Sequence, residues 1–170
     1  LWTQLEGAAV ALSPDNNSAQ VTFSPRQDFA GDYVFELLVS DGLLSDTVSV
    51  QVSVNNNQPV AVASATPPFG NRNTSLFTIS GSGSSDPEGD DLTYLWTQLE
   101  GATVLPTPTN SEQWSFSPRQ DFAGDYRFLL EVDDGLLNDT VSVAVNVVNN
   151  KPTAVATADP PLGNLNTPLF

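Results

Sequence analysis

Tyr126-Arg127-Phe128-Leu129-Leu130-Glu131-Val132-Asp133 recurs about 93 positions earlier as Tyr33-Val34-Phe35-Glu36-Leu37-Leu38-Val39-Ser40. Tyr, Phe, Leu and Val at alternate positions are identical in the two copies, while the residues between them differ. Identity on one face and variation on the other is the mark of a half-buried β-strand, because successive side chains point to opposite faces. The next stretch repeats the logic: Val141, Val143, Val145 and Val147 alternate with small polar residues or Ala, as Val48, Val50, Val52 and Val54 do. Between the two lies Asp133-Asp134-Gly135, a turn in which Gly supplies the positive φ.

Working outward, the whole chain repeats at the same period. LWTQLEG occurs at 1–7 and 95–101, FSPRQDFAGDY at 23–33 and 116–126, and PPxGNxNTxLF at 67–77 and 160–170. A period of about 93 residues is that of one small β domain in an array. The expected division is 1–57, the C-terminal part of one repeat; 58–150, a complete repeat; and 151–170, the N-terminal strand segment of the next. The period-two pattern extends to Ala61-Val62-Ala63, Phe77-Thr78-Ile79, Leu92 to Trp96 and Trp114-Ser115-Phe116, with no helical period anywhere. About seven strands per unit result. Trp96 on the third and Tyr126 at the start of the sixth fall where an immunoglobulin-like sandwich buries its aromatic centre and its tyrosine corner. The fold expected is all-β: tandem immunoglobulin-like β-sandwich repeats arranged end to end.

Composition removes several classes of function. The sequence has no Cys and no His, so disulfides, thiolate metal sites and the usual general base are absent. Twenty acidic against five basic residues give a net charge of −15, which repels phosphate backbones and excludes a nucleic-acid partner. No apolar run in this window is long enough to span a membrane. Abundant serines lack a His to activate them, and the acids lie on loops rather than across a cleft, so no catalytic residue is expected.

The densest charge is Asp86-Pro87-Glu88-Gly89-Asp90-Asp91. In immunoglobulin strand order this loop shares a pole with Asp133-Asp134 and with the entry linker Asn55-Asn56-Asn57. Oxygen donors in an irregular acidic loop suit calcium rather than zinc. Asn57, Asp86, Glu88, Asp90, Asp91, Asp133 and Asp134 are the expected ligands, with Asp41 and Asn150 in the equivalent positions of neighbouring repeats. The bland alternative is a solvated acidic turn whose carboxylates cap backbone amides. Asn16, Asn73 and Asn138 begin Asn-x-Ser/Thr sequons and are candidates for glycosylation, and Leu105 to Asn110 could carry O-linked sugar.

Ser80-Gly81-Ser82-Gly83-Ser84-Ser85-Asp86-Pro87-Glu88-Gly89-Asp90, Tyr94-x-Trp96, Val132-Asp133-Asp134-Gly135 and Asn150-Lys151-Pro152 resemble the polycystic-kidney-disease (PKD) type of immunoglobulin-like repeat. The likeness is to the variant found in tandem in bacterial and archaeal surface proteins and in receptor-for-egg-jelly regions. After Trp96 the chain reads Thr-Gln-Leu-Glu-Gly where the best-known PKD signature reads Asp-Phe-Gly-Asp-Gly. The resemblance implies extracellular or cell-surface spacing, adhesion or filament building, sometimes with calcium at domain junctions. The expected partners are adjacent repeats of the same chain, with lateral or head-to-tail self-association; outward Leu38 and Leu129 are candidate lateral contacts. The competing expectation is a spacer or carbohydrate- or protein-binding accessory module of a secreted polysaccharide-degrading enzyme.

Overall fold

The structure, a computed structural model, describes residues 1–74, 76–104 and 109–157. Among these there is no helix, and none long and apolar enough to cross a membrane. The first copy forms three strands, β1 (Trp2–Glu6), β2 (Gly31–Ser40) and β3 (Ser45–Val54), in one sheet of order β1-β2-β3. The second forms β4 (Ser64–Thr66), β5 (Phe69–Asn71), β6 (Phe77–Ser80), β7 (Thr93–Glu100), β8 (Gln113–Phe116), β9 (Gly124–Asp133) and β10 (Asn138–Val148). These make a sheet of order β5-β10-β9-β7 and a second sheet, β4-β6-β8, that covers one of its faces.

The two copies pair alike. Trp2 lies opposite Leu37 and Trp96 opposite Leu130, and each ladder slips by one residue at the same point, between Gln4 and Glu6 and between Gln98 and Glu100. Expected strand positions hold from Phe77 onward. The first strand differs: the Ala61 to Ala63 stretch carries no ladder. Instead Val60 makes a lone bridge to Ser85, pairing begins at Ser64, and the chain changes sheets at Pro67-Pro68. Two successive prolines offer no N–H for a ladder, so the strand is split there. Beyond them β5 joins the other sheet, parallel to β10. Residues 151–157 carry no ladder, and residues 158–170 and 105–108 lie outside those described.

The core of the complete unit is Phe77, Ile79, Trp96, Phe116, Tyr126, Phe128, Leu130, Val132, Val145 and Val147, all essentially sealed from solvent. Phe116 sits at its centre, 5.3 Å from both Tyr126 and Phe128 and 5.6 Å from Phe77. Tyr126 Oη accepts a hydrogen bond from the Arg119 amide at 3.0 Å, and Tyr33 Oη accepts one from the Arg26 amide at 3.1 Å. Each tyrosine thus fastens the turn that precedes its strand, the tyrosine corner of this fold.

Two further features explain residues whose role sequence pattern alone left open. Gln98 Nε2 donates to the Glu100 and Ala102 carbonyls and its Oε1 accepts from the Val104 amide; Gln4 makes the same set with Glu6, Ala8 and Val10. One amide side chain therefore closes the loop after the third strand in both copies. Gly101 and Gly7 have φ of 95° and 94°, and a Cβ at either would come within 3 Å of a strand carbonyl beside the corner tyrosine. Positive φ and close backbone approach together require glycine there.

Candidate functional site

Three loops converge at the entry pole of the complete unit, and amide groups tie them together. Asn56 Nδ2 donates to Asp134 Oδ2 at 2.9 Å, and the Asn57 amide donates to Glu88 Oε2 at 3.2 Å. Asn57 Nδ2 also donates to Glu88 Oε1. Beyond the linker, Gln58 Nε2 donates to the Asn138 carbonyl at 2.6 Å and Asp139 Oδ2 accepts from the Ala61 amide at 2.9 Å. The chain is thus moored to β10 and to both acidic loops as it enters.

Most of the carboxylates are turned onto backbone amides. Asp86 Oδ1 accepts from the Glu88 and Asp90 amides at 2.8 and 3.1 Å. Asp133 Oδ1 accepts from Gly135, and Asp134 Oδ1 from Leu136 and Leu137, at 2.8, 2.7 and 2.7 Å. Asp41 in the first copy does the same for Leu43 and Leu44, both at 2.9 Å. Such Asx geometry is how short acidic side chains hold a tight turn. Asp134 is only 6% exposed. Burial alone would raise its carboxyl, but the Leu137 amide, Asn56 and the Leu136 amide together hold it below the ordinary value. Asp41 is likewise held low, by the Leu44 and Leu43 amides.

The expected calcium ligands are therefore neighbours without forming a cage. Among the described residues no three Asp, Glu, His or Cys side chains come close enough to hold a metal ion. Asp91 and Asn150 are exposed, and Asp90 is bonded through its backbone amide. One oxygen, Asp86 Oδ2, is buried with no hydrogen-bond partner among the described residues. Sequence reasoning placed the acids at one pole but missed the role of Asn56, whose amide reaches Asp134. The signal was present: Asn56-Asn57 recurs as Asn149-Asn150.

A cleft of about 200 Å³ separates the two copies at this pole. Pro25, Arg26, Gln27, Phe29 and Val54 line it from the first copy, Asn55 and Asn56 from the linker, and Glu88 and Asp90 from the second. Arg26 is held by a two-point ion pair with Asp28, as Arg119 is with Asp121. The hydrogen bond from the guanidinium keeps each aspartate below its ordinary pKa. The sequon asparagines Asn16, Asn73 and Asn138 are exposed.

No curated protein matches the sequence. Among solved structures, the endo-fucoidan hydrolase MfFcnA4 from glycoside hydrolase family 107 is 24% identical, with a TM-score of 0.38; the match covers 89% of this chain and 24% of that one. The endo-fucoidan hydrolase MfFcnA9 from the same family is 19% identical, with a TM-score of 0.31, covering 86% of this chain and 27% of that one. The chain spans about a quarter of the length of these proteins, and likeness at this level carries no functional argument. The family description that matches is the bacterial Ig domain, over residues 56–148, with the split first strand, the tyrosine corner and the acidic entry pole all inside the match. By that match, which takes in more than half of its length, the chain belongs to the bacterial Ig domain family.

Proposed function

We propose that this chain is a stretch of an extracellular or cell-surface array of PKD-like immunoglobulin repeats joined end to end, with a structural and non-catalytic role. The observation that carries the proposal is the moored linker. Asn56 and Asn57 tie the entering chain to Asp134 and Glu88, and the same Asn pair stands at 149–150 before the next repeat. A joint that is hydrogen-bonded rather than free restricts the angle between neighbours, and near-identical units let an array lengthen by duplication. The Ser80 to Asp90 segment and Tyr94-x-Trp96 support the PKD-like subtype within the wider family.

Scattering from this chain, and from versions with one and two further 93-residue units, tests the reading. The expected result is a particle whose length rises in proportion to the number of units. A compact profile overturns it. Calcium at the pole is an additional proposal, supported by the unpartnered Asp86 Oδ2 and the net charge of −15. The accessory-module alternative predicts polysaccharide binding, which a glycan array reads directly; the array reading expects none, and no hydrolysis.

A further inference from the structure

We infer that the complete unit docks an extended basic peptide along the free edge of β7, at Leu92 to Leu95, with cationic side chains that cross β7 to reach Glu131 and Asp133. The site lies wholly within residues 58–150 and does not depend on how many units the polypeptide carries.

The edge supplies the backbone half of the site. In the sheet order β5-β10-β9-β7, the last strand has a neighbour on one side only. Its register sets Thr93 opposite Asp133 and Leu95 opposite Glu131. Leu1 and Leu38, the counterparts of Leu95 and Glu131, exchange both backbone hydrogen bonds. The odd-numbered residues of β7 therefore bond to β9, and the even-numbered ones face the edge. Trp96 shows this directly, its amide donating outward to the Thr109 carbonyl at 2.9 Å. The chain then leaves for β8, and among the described residues nothing pairs with Tyr94 on that side. An unpaired rung of this kind is a template for strand addition. Beside it lies a hollow of about 460 Å³, lined by Leu92 to Leu95, Asn110, Glu131 and Asp133.

The charge names the occupant. Glu131 and Asp133 stand two residues apart on the outward face of β9, and no ion pair among the described residues involves either. Arg127, on the same face, is turned to Glu100 at 3.7 Å. A peptide on the edge lies two strand spacings from β9, about 9.6 Å. Lys or Arg spans that gap by laying its apolar stem over Leu95 and Thr93, so cations at alternate positions meet both acids. The fold itself does not need these carboxylates: the first copy has Leu38 and Ser40 in their places, in a strand that pairs the same way. Nor is the occupant a second copy of this chain. Its net charge is −15, and nowhere do two of its basic residues stand two apart.

The test titrates the isotope-labelled 170-residue chain with the capped peptide Lys-Val-Lys-Val-Lys and follows backbone amide shifts. The expected shifts centre on Thr93, Tyr94, Leu95 and Asn110, exchange of the Tyr94 amide slows, and affinity falls as salt rises. The double variant Glu131→Leu, Asp133→Ser carries residues the first copy already accommodates, and should bind roughly tenfold more weakly or worse while its other shifts stay unchanged. Norleucine in place of each peptide Lys should cost as much. Spermidine, which matches the peptide's charge without its backbone, should leave Tyr94 exchange unprotected. Absence of shifts at millimolar peptide overturns the proposal, as do shifts centred on the loop from Asp86 to Asp91. Equal affinity of the double variant, or equal protection of Tyr94 by spermidine, also overturns it, because general attraction to an acidic surface then suffices. Scattering that fails to lengthen with unit number would sink the array reading and leave this result untouched.

Discussion

The hairpins β2-β3 and β9-β10 share their inward residues and their pairing, yet the second is buried along its length and the first only at Tyr33 and Phe35. Val39 is 57% exposed where Val132 is sealed, although both follow the same Tyr-x-Phe-x-Leu pattern. Alternation in a sequence therefore states which face of a strand is meant to be covered. Whether it is covered depends on another layer, some 10 Å away through space and, from Phe77 to Val147, 70 residues away in sequence. What the paired copies have in common is what each hairpin settles locally: register, bulge, corner tyrosine and turn.

Substitutions made in pairs, one in each copy, can break or sharpen this contrast. The largest difference is expected at tryptophan. Trp96→Ala removes a side chain sealed in the core and should cost about 3–5 kcal/mol in urea unfolding, whereas Trp2→Ala, at a partly exposed position, should cost less than half of that. Equal losses would mean that the first copy is covered in solution. Next come the valines: Val132→Ala should destabilise by about 2 kcal/mol, and Val39→Ala by less than about 0.5 kcal/mol.

At the turns, Asp134→Ala strands the Leu136 and Leu137 amides and frees Asn56, a loss of about 2 kcal/mol for the complete unit. Asp41→Ala removes the same caps from an exposed turn, where water replaces them, so the change should be small. An Asn56→Ala variant that matches Asp134→Ala in loosening the linker by scattering, while leaving the turn intact, would separate the two roles of that carboxylate.

Acidification acts on the same groups. Asp134, Asp41, Asp28 and Asp121 all have carboxyls held below their ordinary value. A depressed folded pKa contributes stability that is full above the unfolded value, about 3.9, and is lost as pH falls through the lower folded value. Melting temperature should therefore be flat from pH 7 to about 5 and fall below about 4, and Asp134→Asn should flatten that fall. The smallest effect expected is that of calcium. With Asp86, Glu88, Asp133 and Asp134 already bonded to amides at the pole, exchanging EDTA for millimolar calcium should raise the melting temperature only slightly. A rise of many degrees would require the acids to rearrange from their amide partners around the ion.

Much of this was legible in the sequence because it is local. The strands from Phe77 onward, the corner tyrosines, the sandwich core and the meeting of three loops at one pole follow from alternation, turn chemistry and strand order. The split of the first strand was not. Ala61-Val62-Ala63 alternates as a strand should, but Pro59 and Pro67-Pro68 bracket it, and only the competition between two sheet edges decides where pairing falls. The acidic pole was half legible. Its charge and position could be read, but not that Asp86, Glu88, Asp133 and Asp134 turn onto amides, because four acids in six residues look alike whether they bind an ion or a backbone. Gln98 was hidden for the same reason: a polar residue on a strand reads as solvent-facing until its loop is seen to fold back over it.

The switch of the first strand between sheets has a mechanical consequence. The chain enters beside Asp134 and leaves after Val148, and the 11 residues of β10 carry it about 35 Å toward the far pole. A pull on the two ends draws β5 and β10 in opposite directions along their common axis, because they run parallel. Their rungs, including Asn146 to the Pro68 carbonyl and Arg72 to the Val148 carbonyl, are then loaded in shear and must give way together rather than unzip one by one. A short strand of three residues thereby becomes the clasp that sets how hard the unit can be pulled before it opens.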